Sequence, residues 1–244
     1  MTTYEAVMQQ LQQKKFAPVY LLMGEEPFFI DQVADFIEEN AIDASQRDFN
    51  QFLVYGKDIT GGEVVALCRE VPFGSPYRVI IVKEAKNLKN IDLLCKYAEK
   101  PSPQTILVLC HKYGKLKAKQ YMPFDKSGVV MASDKIKDYK LEPWVEQRAK
   151  DYGYNISRQI ASVLAEQIGN DLSRIDNEFK KLKVVFAPGT EITTDIVEKY
   201  IGISKEYNIF ELQNALAARD LNKVYKITYN FCNHLKENPN PATI

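Results

Sequence analysis

Two spacings of apolar residues divide the chain. Up to about Ser133, short apolar runs alternate with segments whose apolar positions recur at helical intervals. Beyond it only the helical interval persists. The first run, Pro18-Val19-Tyr20-Leu21-Leu22-Met23, is apolar on both faces and has strand length, which suits a central parallel strand. Asp48–Tyr55, Arg78–Lys83, Gln104–Cys110 and Gly128–Ser133 read as four more strands. Between them lie amphipathic helical patterns. Tyr4, Val7, Met8 and Leu11 mark an opening helix, and Phe29, Ile30, Val33, Phe36 and Ile37 a second one that runs to Asn40. Thr60-Gly61-Gly62-Glu63 matches a capping box, opening a helix with Val64, Val65, Leu67 and Cys68. Leu88–Glu99 carries Ile91, Leu94 and Cys95 inward. Five strands alternating with helices predict an α/β domain built on a parallel sheet covered on both faces.

The second half predicts helices alone. Leu141–Tyr152 is a helix with Pro143 in its first turn and Trp144 in its core. Ser157 caps the next, with Ile160, Val163, Leu164 and Ile168 inward. Gly169-Asn170 breaks it, and Asn170 or Asp171 caps a third helix bearing Leu172, Ile175, Phe179 and Leu182. Thr193 or Thr194 caps another that reaches Tyr200, and Asn208–Ala217 and Leu221–Leu235 are the last two. The expected domains are therefore 1–140 (α/β), 141–205 (a small all-α domain) and 206–244 (the first helices of a further helical domain). Two helices cannot bury a core alone, so the stretch from Asn238 to Ile244 is expected to stop where more chain once followed.

The strand–turn–helix at Pro18–Asp31 is where nucleotide-binding α/β proteins place their phosphate loop. A working loop needs glycines for close backbone approach, a Lys for the β- and γ-phosphates and a hydroxyl for Mg²⁺. This turn offers Gly24, then Glu25, Glu26 and Pro27, and no Lys or Ser/Thr at the required spacing. The expectation is a nucleotide-binding scaffold without its nucleotide site, no cofactor, and a protein that works by contact. Glu25 and Glu26 are adjacent, need not converge and have no nucleophile nearby, so they are not read as a catalytic pair.

Charge narrows the partners. Lys and Arg total 32 and Asp and Glu 32, so no whole-surface attraction to nucleic acid or membrane is predicted, and any basic patch is local. One such patch is Lys112-Tyr113-Gly114-Lys115-Leu116-Lys117-Ala118-Lys119, a candidate for DNA backbone contact that reads first as a solvated loop. Cys68, Cys95, Cys110 and Cys232 are scattered, and with only His111 and His234 beside them no metal set emerges. The start lacks signal-peptide regions and no apolar run approaches the roughly 20 residues of a membrane span, so a cytoplasmic protein is expected.

Three motifs in order carry a family resemblance. Pro18–Ile30 resembles the opening of the delta subunits of the bacterial DNA polymerase III clamp loader, members of the AAA+ superfamily that have lost the phosphate loop. Ile168-Gly169-Asn170-Asp171-Leu172-Ser173-Arg174-Ile175-Asp176-Asn177-Glu178 resembles that family's lid signature. Phe210-Glu211-Leu212 with Ala215-Leu216 resembles the start of its collar. The resemblance implies an AAA+-like α/β domain, a helical lid and a helical collar. It implies no catalytic site of the subunit's own. The implied partners are the beta sliding clamp, the delta prime and tau/gamma subunits through the collar, and primed DNA within the assembled loader. It further implies an exposed apolar pair that enters a pocket on the clamp and springs the ring open. The matching turn is Val71-Pro72-Phe73-Gly74, with Leu67 on the preceding helix. Phe73 falls on one apolar position, whereas Gly74 departs from the pattern at the other; either Val71 supplies that contact or the wedge is weaker. Two other readings compete. A nucleotide-dependent α/β enzyme (a small kinase or an active ATPase) is opposed by the missing Lys and hydroxyl. A generic DNA-binding adaptor is opposed by the neutral charge.

Overall fold

The computed structural model describes residues 1–202 and 209–237, and the chain divides into two compact units, Met1–Lys135 and Ile136–Ile244. In the first unit the elements are α1 (Tyr4–Gln12), β1 (Val19–Gly24), α2 (Pro27–Asn40), the short α3 (Arg47–Asn50), β2 (Gln51–Tyr55), α4 (Gly61–Arg69), β3 (Arg78–Lys83), α5 (Ile91–Glu99), β4 (Thr105–Lys112), α6 (Ala118–Ser127) and β5 (Val129–Ser133). The strands form one sheet in the order β2-β3-β4-β1-β5, and every pairing is parallel. This is the α/β architecture that the alternation of strand and helix predicts.

The sheet is covered on both faces because alternate residues of each strand point opposite ways. Tyr20 and Leu22 of β1, Val79 and Ile81 of β3, and Val108 and Cys110 of β4 pack with Val7 and Leu11 of α1 and with Ile30, Val33 and Ile37 of α2. On the other face Leu21 and Met23, Ile80 and Val82, and Leu107 and Leu109 pack with Val64 and Cys68 of α4, Leu94 of α5 and Phe124 of α6. Cys68 and Cys110 are thus core residues, and burial pushes both thiols up to about 12. Thr60 and Glu63 form the expected capping box: the Thr60 N–H donates to Glu63 Oε2 at 2.8 Å, and the Glu63 N–H donates back to Thr60 Oγ1 at 3.4 Å.

Two first-unit elements differ from expectation, and one is α6 (Ala118–Ser127), a ten-residue helix that begins inside the basic stretch read as a solvated loop. The run Asp48–Tyr55 is not all strand: residues 47–50 make a helical turn and the strand starts at Gln51. The reason is local. The Asn50 side-chain amide donates to the Gln46 carbonyl at 2.9 Å, one helical turn back, and competes with strand pairing.

The second unit contains α7 (Asp138–Asp151), a two-residue strand β6 (Asn155–Ile156), α8 (Arg158–Ile168), α9 (Leu172–Val185), a two-residue strand β7 (Glu191–Ile192), α10 (Thr194–Ile196) running into a wider π turn to Ile201, α11 (Ile209–Ala217) and α12 (Leu221–Glu237). Ser157, Asp171 and Thr193 cap α8, α9 and α10 with their side chains. Leu141, Val145, Ile160, Leu164, Ile175, Phe179 and Leu182 are buried among these helices. Three details correct the sequence reading. Among its described residues the unit is not helical throughout but carries the parallel β6–β7 ladder. Helix α7 begins at Asp138, so Pro143 lies inside it rather than in its first turn. Trp144 is only half-buried, because Leu141, Val145 and Ala149 take the inward stripe of α7. The expected boundary at 205/206, Asn208 and the stretch 238–244 lie outside the described residues. Among the described residues no helix is long and apolar enough to cross a membrane.

Candidate functional site

Two places in the first unit were singled out by the sequence, the turn after β1 and the turn after α4. At the first, the loop is closed by the chain itself. Gly24 has a φ of +141°, and a Cβ there would fall 2.0 Å from the Ser133 carbonyl oxygen, so the turn is pressed against the end of β5. The Glu26 N–H donates to that carbonyl at 3.1 Å, and Ser133 Oγ donates to the Glu26 carbonyl at 2.7 Å. From the other side the Tyr113 N–H donates to the Gly24 carbonyl at 2.7 Å.

Pro27 opens α2, and Glu26 caps it. The Glu26 side chain is buried and its Oε1 accepts from the Phe28 N–H at 3.1 Å. A helix N-terminus at this position is where a phosphate would be held. Here a carboxylate of the chain stands on it, while Glu25 is exposed. The lysines at the carboxyl ends of β4 and β3 are paired as well. Lys112 Nζ is 2.6 Å from Asp31 Oδ2, and Lys83 Nζ is 2.9 Å from Asp35 Oδ1. Burial alone would lower the Lys83 ammonium, but the Asp35 and Asp31 carboxylates outweigh it and raise it. In the basic stretch, Lys115 Nζ is 2.6 Å from Asp134, and Lys117 and Lys119 are exposed at the start of α6. Among the described residues no cluster of His, Cys, Asp and Glu could hold a metal ion.

The second place is of another kind. Helix α4 ends at Arg69, and the chain turns through Val71-Pro72-Phe73-Gly74 before β3. Val71 is 76% exposed and Phe73 74%, so neither folds back into the core; Leu67 is half-buried on α4, and Pro72 is half-buried in the turn. Gly74 has a φ of +64°, a left-handed conformation that glycine adopts without strain.

The backbone under Phe73 is held firmly. Asn50, fully buried, accepts from the Phe73 N–H on Oδ1 at 2.7 Å and donates through Nδ2 to the Phe73 carbonyl at 2.9 Å. Gln46 donates to the Gly74 carbonyl. Arg78, buried at the start of β3, pairs with Glu70, reaches the Phe49 carbonyl at 3.4 Å and lies 4.3 Å over the Phe52 ring. Beside Phe73 stands Phe49, 64% exposed, with ring centroids 5.8 Å apart at an interplanar angle of 60°. The sequence pattern marks neither Phe49 nor Asn50, because it reads both as part of a strand. The structure therefore brings Val71 and Phe73 to the surface on a braced turn and joins to them a ring from α3.

The comparisons with known proteins fit this geometry. A family model described as DNA polymerase III, delta subunit, matches residues 20–129, the span that holds both places. The DNA polymerase III subunit delta of Bacillus subtilis (strain 168) is 27% identical over 98% of this chain and 71% of its own length. The solved structure of the Bacillus subtilis DNA clamp loader delta protein superposes with a TM-score of 0.69 at 25% identity, over 98% of this chain and 73% of that one. The chain is similar to DNA polymerase III delta subunits in sequence and in fold. Its fold, a five-stranded parallel sheet covered by helices and followed by a helical unit, is similar to that of the Bacillus subtilis clamp loader delta protein. The delta-family match begins at Tyr20, inside β1, and ends at Val129, where β5 starts.

Proposed function

We propose that this chain is a non-catalytic subunit of the DNA polymerase III clamp loader, that it binds the beta sliding clamp through Val71–Gly74, and that this contact opens the ring for loading onto primed DNA. The observation that carries the reading is an apolar turn, tipped by Phe73, that is exposed yet held by Asn50 on both sides of its backbone. Exposed apolar anchors on rigid supports are the groups that dominate interfaces, because little freedom is lost when they dock. Burying one Phe-sized side chain contributes about 1.5–3 kcal/mol. One or two such anchors suit micromolar binding rather than picomolar. Opening then follows from differential affinity: a contact made better to the open ring than to the closed one shifts the ring toward open.

The turn after β1 supports contact rather than phosphate chemistry, since Glu26 caps the helix that would otherwise hold an anion. That arrangement speaks against a kinase or an active ATPase. Two of the four lysines considered for DNA, Lys112 and Lys115, are paired with Asp31 and Asp134, which leaves a small basic footprint at Lys117 and Lys119 and speaks against a general DNA-binding adaptor. We assign 1–140 to the clamp-binding domain, 141–205 to the lid and 206–244 to the start of the collar. Leu216, Leu221, Tyr225 and Tyr229 are exposed on α11 and α12, which suits packing against further collar helices and the delta prime and tau/gamma subunits. The place of action is the cytoplasm.

The test is binding of the full chain to its cognate sliding clamp. Phe73→Ala is expected to weaken the complex by about tenfold or more, equivalent to about 1.4 kcal/mol or more. Equal affinity of wild type and Phe73→Ala would place the contact elsewhere.

A further inference from the structure

The turn carries no side chain at Gly74, next to the exposed Phe73. A Cβ built there meets nothing within 4 Å, so the position opens onto free space and contributes no contact of its own. Phe49 comes from a separate segment, on α3, and lies edge-to-face against Phe73 with 64% of its surface exposed. Two large aromatic rings in contact with each other and with water form a patch of the sort that marks an interaction surface. Their mutual placement is set from below. Asn50, next to Phe49 in the chain, holds the Phe73 backbone through both its N–H and its carbonyl. Arg78 reaches the Phe49 carbonyl. The two rings are thus carried by backbone segments held in place, so the turn itself need not be ordered when a partner arrives.

We propose that Phe49 is the second apolar contact of the clamp-binding turn, standing in for the side chain absent at Gly74, and that Asn50 is the positioning residue that makes Phe49 and Phe73 a single two-ring anchor. The occupant is the apolar cleft of the sliding clamp; the inference rests on reading the Val71–Gly74 turn as the clamp contact. Val71 is exposed too, but the ring against Phe73 belongs to Phe49.

The experiment is a double-mutant cycle on the full chain, measuring the Kd for the cognate clamp. Phe49→Ala and Phe73→Ala are each expected to weaken binding about tenfold. The double variant is expected to weaken it less than the product of the two, by a factor of about 2 to 10, because edge-to-face aromatic pairs are coupled. Phe49→Leu serves as a second variant that keeps apolar bulk at the same surface position; it is expected to bind better than Phe49→Ala at an unchanged melting temperature. If Phe49→Ala binds like wild type while Phe73→Ala is weakened, the proposal is overturned and the turn as clamp contact stands. If neither variant weakens binding, the underlying reading falls with it.

Discussion

Asn50 shows how one side chain can decide the form of a surface. It makes three hydrogen bonds from a fully buried position, two to Phe73 and one to Gln46, and each of those backbone groups would otherwise need another partner. Asn50→Ala removes all three and leaves the amide and carbonyl of Phe73 without their present partners. A loss of about 1–3 kcal/mol in urea unfolding is expected, together with weaker clamp binding although no surface group has changed. Unchanged stability would mean that the turn keeps its shape without this support. None of this was legible in the sequence, where Asp48-Phe49-Asn50 continues the strand-like run before Gln51. The distinction between turn and strand rests on the Asn50 side-chain bond to the Gln46 carbonyl, and the brace on Phe73 on two further Asn50 bonds across 23 residues, neither of which apolar periodicity records. Phe73 was marked by the family resemblance; the prolines and Gly74 by themselves indicate an exposed turn but not which side chain it presents.

At the scale of elements, β1 and α2 were legible because both carry strong local signals. The strand is a continuous apolar run, and the helix repeats Phe29, Ile30, Val33, Phe36 and Ile37 at helical intervals. What stayed out of reach was how the turn between them is filled. Its carboxylate faces the α2 amides, and Ser133, more than a hundred residues on, closes the other side. Gly24 is the tightest point. Gly24→Ala places a methyl 2.0 Å from the Ser133 carbonyl oxygen in a backbone conformation that L-residues avoid. A destabilisation of about 2 kcal/mol or more in chemical unfolding is expected. A variant as stable as wild type would show that the turn is free to move away from β5. The two-residue β6–β7 ladder was missed for a simpler reason: two residues carry no alternation to detect.

The whole molecule combines a sheet unit with a helical unit, and the second has its own buried charge centre. Asp176 is almost fully buried on α9 and accepts from Arg148 Nε at 2.6 Å and from the Tyr152 hydroxyl at 2.9 Å, with Lys180 Nζ at 3.0 Å. Burial by itself would raise this carboxyl; the hydrogen bond and charge of Arg148, with Lys180 and Tyr152, outweigh it and hold the pKa below the usual carboxylate range. The folded state therefore favours the ionised form. The stabilisation is fully present above the unfolded carboxylate value near 4 and is lost as pH falls through the lower folded value. Asp176→Asn is expected to weaken the helical unit at neutral pH and to flatten the acid side of its stability curve, as read by urea unfolding between pH 3 and 7. An acid limb as steep as wild type would remove Asp176 from that role. Asp176 lies in the stretch that resembles the lid signature, yet its partner on α7 is 28 residues away in sequence, a pairing visible only in the fold.

The central claim is that this chain acts on a ring by touching it. The most direct measurement places a fluorescence donor and acceptor across one interface of the sliding clamp and adds the full chain without nucleotide. The account predicts that wild type increases the separation at saturating concentration and that Phe73→Ala does so only at about tenfold higher concentration or above. A ring that stays closed under saturating wild type, or one that Phe73→Ala opens equally well, would contradict it.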